Sequence, residues 1–265
     1  MDILVVIARY KEDVSWVLNL QIPYLIINKG PPIQNRTIQK HSISVPNSVN
    51  GREAHSYFWY IVNHYDTLPD KIVFIQADPF EHQPDILSIL NSETLSKLHG
   101  CVGLSRYYNE TIPRVRLRNI CGQYYINGIE CWHGHYDDTF TEQFPIINNG
   151  SFWRDIMTGL LDKLNIEYTK ETLREQVFKL FEIPYTKNKV SPYFHAAQFV
   201  VDKERVLHYE KEYYIRNLEL SDTIEKSAYV LELLWPVLFG EDGNLDLKEL
   251  RHNLLNNHNG AVHLC

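Results

Sequence analysis

The residue types best suited to chemistry close one apolar run, KIVFIQADPFEH at 71–82. Ile72, Val73, Phe74 and Ile75 read as a short buried strand, and Pro79 bars that strand from continuing in the middle of a sheet. Gln76, Ala77 and Asp78 therefore fall at its carboxyl end, where open α/β sheets bind their ligands. Two carboxylates with one residue between them at such an edge hold a divalent cation, which neutralises a departing nucleoside diphosphate. Here the amide of Gln76 stands where the first carboxylate would be. A Mn2+ or Mg2+ ion would then rest on Asp78 with help from His82. The alternative is that Asp78 is a turn residue ahead of a proline.

Other polar groups stand at element ends. Arg9, with Glu12 and Asp13, follows the first strand and suits a base or ribose contact, or equally a solvated helix start. Asn50-Gly51-Arg52-Glu53-Ala54-His55 opens a helix whose first N–H groups can hold phosphate, and Arg52 adds a bidentate donor. His133, His135 and Asp137 share a face if their segment is extended. With Asp138 they make either a metal site of nitrogen and oxygen ligands or a solvated loop. His195 precedes the strand-like AAQFVV, facing a cleft or serving structure. Glu232 lies in AYVLELLWPVLFG, apolar on nearly every side. A carboxylate there needs a partner or bears a heavy desolvation cost, and such groups are often functional. The sequence contains no GxxxxGK[ST], GxGxxG, GxSxG or HExxH, which argues against simple ATPase, dehydrogenase, serine-hydrolase and zinc-protease chemistry.

The elements that must position these residues follow an α/β pattern. Strands are predicted at 3–8, 24–28, Lys71–Gln76 and 101–105, with helical patterns at 14–20 and 52–65 and a polar linker reaching Pro46. That alternation predicts a mostly parallel, Rossmann-like sheet flanked by helices. Residues 106–144 predict loops or a small antiparallel elaboration. Helices are expected at 152–164, 170–181, 203–218 and 227–239, and 191–201 as a loop entering a strand. A single domain over 1–240 is expected, with a polar tail at 241–265.

Composition narrows the classes further. The 265 residues carry a formal charge of −7, which argues against non-specific nucleic-acid binding. Seventeen Tyr and five Trp suit sugar stacking, but more often a core. The four cysteines lack CxxC spacing, which fits free thiols in a reducing compartment. No basic-flanked apolar leader opens the chain, and no apolar run approaches the ~20 residues of a membrane span. A cytoplasmic protein without a membrane span is expected.

Several segments together, ARYKEDVSWV, YLIINKG, GREAHSYFWYIVNHYDTLPDKIVFIQADPFEH, FHAAQFVVDKERVLHYEKEYY and YVLELLWPVLFG, resemble a family of fungal and large-DNA-virus proteins. That family in turn resembles nucleotide-sugar glycosyltransferases of the GT-A type. The resemblance runs in order over about 3–240 and implies a GT-A-like domain. Residues 1–105 would bind the nucleotide and 106–240 the acceptor. It implies transfer of a sugar from a UDP- or GDP-sugar to a hydroxyl of a glycan or glycoprotein. Ala8, Arg9, Lys29, Arg52, His55, Gln76, Ala77 and Asp78 would line the donor. Asp78 and His82 would hold the metal, and His195, Gln198 and Glu232 would face the acceptor, Asp78 and Glu232 being the catalytic pair. This chain departs from the family in carrying His195-Ala196-Ala197 before Gln198, and Gln76 in place of Asp. The alternatives are a metal-dependent hydrolase using His133, His135, Asp137 and Asp138, and a non-catalytic nucleotide-sugar or glycan-binding domain.

Overall fold

The first strand supplies apolar side chains to two cores at once. In β1 (Ile3–Arg9), Val6 and Ala8 join one buried cluster while Val5 and Ile7 join another. Alternation with no polar face belongs to a parallel sheet covered on both sides. The computed structural model describes residues 1–46, 50–106, 121–126, 129–136, 149–185, 189–224, 226–240 and 245–246.

After β1 the helical pattern at 14–20 shortens to a 3-10 turn, Ser15–Asn19, which buries Trp16 and Val17. β2 (Tyr24–Asn28) follows. The stretch expected to be a linker holds two elements, helix α1 (Arg36–Gln39), capped by the Asn35 side chain, and strand β3 (Ser42–Ser44). Helix α2 (Arg52–His64) buries Ala54, Tyr57, Phe58 and Ile61, the spacing of a single helical stripe. Then come β4 (Lys71–Gln76), α3 (Ile86–Leu90), α4 (Thr94–Lys97) and β5 (Cys101–Gly103). β6 (Cys121–Ile126) and β7 (Ile129–Tyr136) form the expected antiparallel elaboration. They are followed by α5 (Asn149–Lys163), α6 (Leu173–Leu180), β8 (Lys189–Tyr193), a 3-10 turn His195–Ala197, and β9 (Phe199–Asp202). The helix expected over 203–218 is broken after its first turn into α7 (Lys203–Val206) and α8 (Lys211–Thr223). α9 (Ser227–Leu238) and β10 (Leu245–Asp246) complete the order. β10 pairs with β8, so residues beyond the boundary drawn at 240 take part in the fold.

The main sheet has the order β3-β2-β1-β4-β9-β5. Its first four strands are parallel, and β9 runs antiparallel to both its neighbours. The expected single α/β domain with a mostly parallel, Rossmann-like sheet is what the chain forms. A second, antiparallel sheet has the order β10-β8-β7-β6. From β1 the chain moves outward to β2 and β3, then returns to place β4 on the other side. That reversal opens a crevice at the carboxyl ends of β1 and β4. Because Phe74 pairs with Phe199 in an antiparallel register, the turn before β9 comes to the same edge as Gln76, Ala77 and Asp78.

Much of the aromatic supply goes to the core beneath this edge. Tyr57 and Phe58 of α2, Phe74 of β4, Phe199 of β9 and Trp235 of α9 lie with ring centroids 4.7–6.0 Å apart in their contacting pairs. Each such side chain contributes on the order of 1.5–3 kcal/mol by its burial. The core therefore fixes α2, β4, β9 and α9, the four elements that carry the edge residues, relative to one another. Among the described residues no helix is long and apolar enough to cross a membrane.

Candidate functional site

Asp78 is exposed between a buried Ala77 and a buried Pro79. The backbone around it is held from several sides. Ala77 N–H donates to the Ala8 carbonyl at 2.9 Å, and the Ala77 carbonyl accepts from Trp16 Nε1 at 2.9 Å. The Pro79 carbonyl accepts from Gln198 Nε2 at 3.2 Å and from Gln83 N–H at 3.0 Å. No hydrogen bond or ion pair to the Asp78 carboxylate is found among the described residues. A fixed turn thus presents a free carboxylate at the crevice, a different role from a carboxylate that caps its own turn.

The loops after β1 and β2 form the neighbouring wall. Arg9 is a brace there: its guanidinium donates to Asn28 Oδ1 at 2.7 Å and to the carbonyls of Glu12, Pro31 and Tyr10 at 2.9, 2.9 and 3.3 Å. Gly30 is required by this packing, since a Cβ built on it would meet the Tyr10 carbonyl oxygen at 1.5 Å. Next to it, the buried Lys29 ammonium donates to the Arg52 carbonyl. Burial pulls the Lys29 pKa down to about 8, with Arg52 adding to that and Glu53 and Asp222 opposing it. His55, one turn into α2, is buried, and its pKa falls to about 4 through burial and the Lys29 charge. It is neutral near pH 7, and its Nδ1 has no hydrogen-bond partner among the described residues. Gln198 Oε1 is a second such atom. Buried polar atoms left in this state call for a water or ligand to complete them.

The third wall is α9. Glu232, part-buried, accepts the Ala196 N–H at 3.0 Å. Burial raises its carboxyl to about 7; the Glu53 charge adds to that rise, and the Ala196 amide and Arg52 oppose it. Pro236 sits inside α9 and has no N–H to give to the carbonyl of Glu232, one turn back. Backbone strain collects at the same place. Among the described residues, five besides glycine have positive φ; Asn165 and Glu182 follow the ends of α5 and α6, and the others are Arg52 (φ 42°), Ala196 (64°) and Ala197 (48°). Tyr57 Oη donates to the Ala197 carbonyl at 3.0 Å, and Arg52 donates to Tyr229 Oη while its guanidinium carbon lies 4.7 Å from that ring's centroid. Strain held in place by its surroundings concentrates at functional sites.

The structure thus gathers Lys29, Arg52, His55, Gln76, Asp78, His82, Gln198 and Glu232 at one edge, with Ala8 and Ala77 as its buried backbone support. Burial lowers the pKa of the part-buried His82, against the charges of Glu81, Glu53 and Asp78. His195 belongs to the 3-10 turn of this edge, and its side chain lies outside the described residues. His133 and His135 stand two apart in β7; their side chains, and the whole of Asp137 and Asp138, also lie outside them. Sequence alone places Glu53 with Arg52 and His55 in the segment that opens a helix and gives it no role of its own. Its carboxylate acts on Lys29, His82 and Glu232 together, and its signal was its place in the first turn of α2 beside Arg52.

Among the described residues no three His, Cys, Asp or Glu side chains form a ready metal site. A cation shared with a diphosphate needs only one or two protein carboxylates, the phosphates and waters supplying the rest. Free Asp78 beside His82 fits that smaller demand.

The family model described as "Protein of unknown function (DUF3431)" matches residues 4–250. No curated protein and no solved structure matches the chain.

Proposed function

This chain belongs to the DUF3431 family, and we propose that it is a glycosyltransferase moving a sugar from a nucleoside-diphosphate sugar to a hydroxyl acceptor. The observation that carries this reading is the Asp78 turn: a free carboxylate, braced from β1, the Trp16 turn and β9, at the reversal of strand order. Open α/β sheets bind nucleotides at that place.

In this reading Lys29, Arg52 and the neutral His55 receive the phosphates and ribose. Asp78 and His82 hold Mn2+ or Mg2+ with the diphosphate, the cation neutralising charge on the leaving group. Glu232, ionising near neutrality, takes the proton of the attacking hydroxyl. A base matched to the working pH contributes ~10²–10⁴-fold. Gln198 and His195 line the acceptor side, brought to the edge by antiparallel β9.

A thermal-shift series with UDP, GDP and their sugars, with and without Mn2+, tests this. A true ligand at 100 times its Kd adds about 2.7 kcal/mol of stability. Stabilisation that needs Mn2+ and is lost in Asp78→Ala is the expected result. Equal stabilisation of Asp78→Ala removes Asp78 from the site, and no shift with any nucleotide overturns the reading.

A further inference from the structure

Gln83 is wholly buried, and the functional reading leaves it without a task. It closes the turn that carries Asp78 and His82. Its N–H reaches back to the Pro79 carbonyl at 3.0 Å, and its side-chain Nε2 donates to the Leu104 carbonyl at 3.2 Å. The N–H of Leu104 donates in turn to the Gln198 carbonyl at 2.8 Å. Gln198, also wholly buried, returns to the turn through its Nε2, which donates to the Pro79 carbonyl at 3.2 Å. Pro79, Gln83, Leu104 and Gln198 therefore form a closed ring of hydrogen bonds. The ring can close because β9 lies antiparallel between β4 and β5, so that β4 and β5 end, and β9 begins, at one edge. Two further contacts tighten it. Arg106 N–H donates to the His82 carbonyl at 2.7 Å, and Gln83 Nε2 lies 3.6 Å from Cys131 Sγ of β7.

We propose that Gln83 and Gln198 are positioning residues for a divalent cation that Asp78 and His82 hold together with a diphosphate. Both protein groups of that cation sit on one short turn, and the ring grips this turn at Pro79, next to Asp78, and at Gln83, next to His82. Each glutamine is enclosed and gives its side-chain N–H to a main-chain carbonyl, so it sets where the backbone stands without touching metal or nucleotide. Apolar side chains of the same length would fill the space without closing the ring. A satisfied polar network in a place of low dielectric holds one geometry. Groups already in place spend less of their binding energy on being ordered when the ligand arrives. Partners that orient metal ligands from outside accordingly contribute roughly 10–100-fold to metal affinity. The inference rests on the reading of Asp78 and His82 as a cation site, and it gives Gln198 a task besides the acceptor side.

The experiment titrates the full chain with Mn2+ in the presence of UDP or GDP and reads free and bound metal by electron paramagnetic resonance. Gln83→Met and Gln198→Met are each expected to weaken Mn2+ by about 10-fold or more, while the affinity for the same nucleotide without metal stays unchanged. The double variant is expected to be little worse than the weaker single one, because one break opens the ring and the two losses do not add. Gln83→Asn, which keeps the amide but shortens its reach, serves if Gln83→Met does not fold. Tyr213→Phe is the control: it loses a buried bond to the Phe181 carbonyl far from this edge, and should lower stability with Mn2+ affinity intact. Glutamine variants that are less stable in urea but hold Mn2+ as tightly as the wild type overturn the inference and leave the cation site standing. An equal loss of nucleotide affinity with and without metal overturns it too. A wild type that takes up no Mn2+ with either nucleotide overturns the cation site and this inference together.

Discussion

Two buried lysines stand at opposite edges of the main sheet, and they are held in opposite ways. Lys71, 2% exposed at the amino end of β4, contacts the Asp202 carboxylate and the Leu98 carbonyl. Asp202 is also satisfied on its other oxygen by Gly100 N–H at 2.7 Å. Lys29, 8% exposed at the carboxyl end of β2, donates to the Arg52 carbonyl, and no carboxylate lies within ion-pair distance of it among the described residues. The amino edge is closed electrostatically by the protein itself. The carboxyl edge keeps a cation, a carboxylate at Asp78 and two buried polar atoms incomplete, which is the state expected of an edge that a charged ligand completes.

Breaking the pair at the closed edge gives the largest effect. Lys71→Ala leaves Asp202 without its cation, and stranding one member of a buried pair costs roughly 3–5 kcal/mol. Urea denaturation at pH 7 reads it directly. Joint replacement, Lys71→Met with Asp202→Leu, recovers most of the loss, since removing both charges removes the desolvation penalty as well. A loss below about 1 kcal/mol for Lys71→Ala would mean that the two edges do not differ as described.

Lys29 behaves differently in sign and in pH dependence. Its folded pKa is lowered, from 10.5 to about 8, so between these values the unfolded chain binds more protons. Stability then rises with pH through that window, and below about pH 8 the full penalty of the buried charge is present. Lys29→Met has no such term. Relative to that variant the wild type gains on the order of 3 kcal/mol between pH 8 and 10.5, read as the difference between two denaturation series. At pH 7 Lys29→Met is expected to be neutral or more stable, while weakening any nucleotide stabilisation. A loss at pH 7 as large as that of Lys71→Ala would erase the contrast.

The sequence made the carboxyl edge partly legible. The apolar runs of β1, β2 and β4 and the stripe of α2 are local patterns, and Pro79 marks where Asp78 leaves the sheet. What it left hidden depends on distant pairing. β3 is three residues long with one apolar side chain, too short for a period, and becomes a strand only because β2 offers it an edge. Nothing in FVVD distinguishes an antiparallel strand between β4 and β5 from a parallel one, yet that direction brings Ala196 and Gln198 to the site. The break at 207–210 is likewise tertiary: Tyr65 Oη bonds the Tyr209 carbonyl and Tyr214 Oη the Val206 carbonyl, taking up backbone groups where a continuous helix was expected. From its place after β1, Arg9 reads as a ligand contact or a solvated helix start; its acceptors lie on a loop that only the pairing of β2 brings back beside it. Glu232 stood out at once, since a lone carboxylate in an apolar helix breaks the local pattern.

The smallest effect probes the strain at the open edge. Ala196 and Ala8 are equally buried, each 7% exposed, but Ala8 is extended in β1 and Ala196 has φ 64°. A left-handed residue other than glycine bears about 1–2 kcal/mol, while glycine raises the entropy lost on folding by about 0.4–1 kcal/mol. Ala196→Gly should therefore gain up to about 1 kcal/mol, and Ala8→Gly should lose roughly 0.5–1 kcal/mol or more, both read from urea midpoints at constant slope. Opposite signs from one chemical change at matched burial isolate the backbone, because the same methyl group is removed in each. Equal losses would show that the turn holding Glu232 is relaxed, and the concentration of positive φ at this edge would then be a consequence of packing alone.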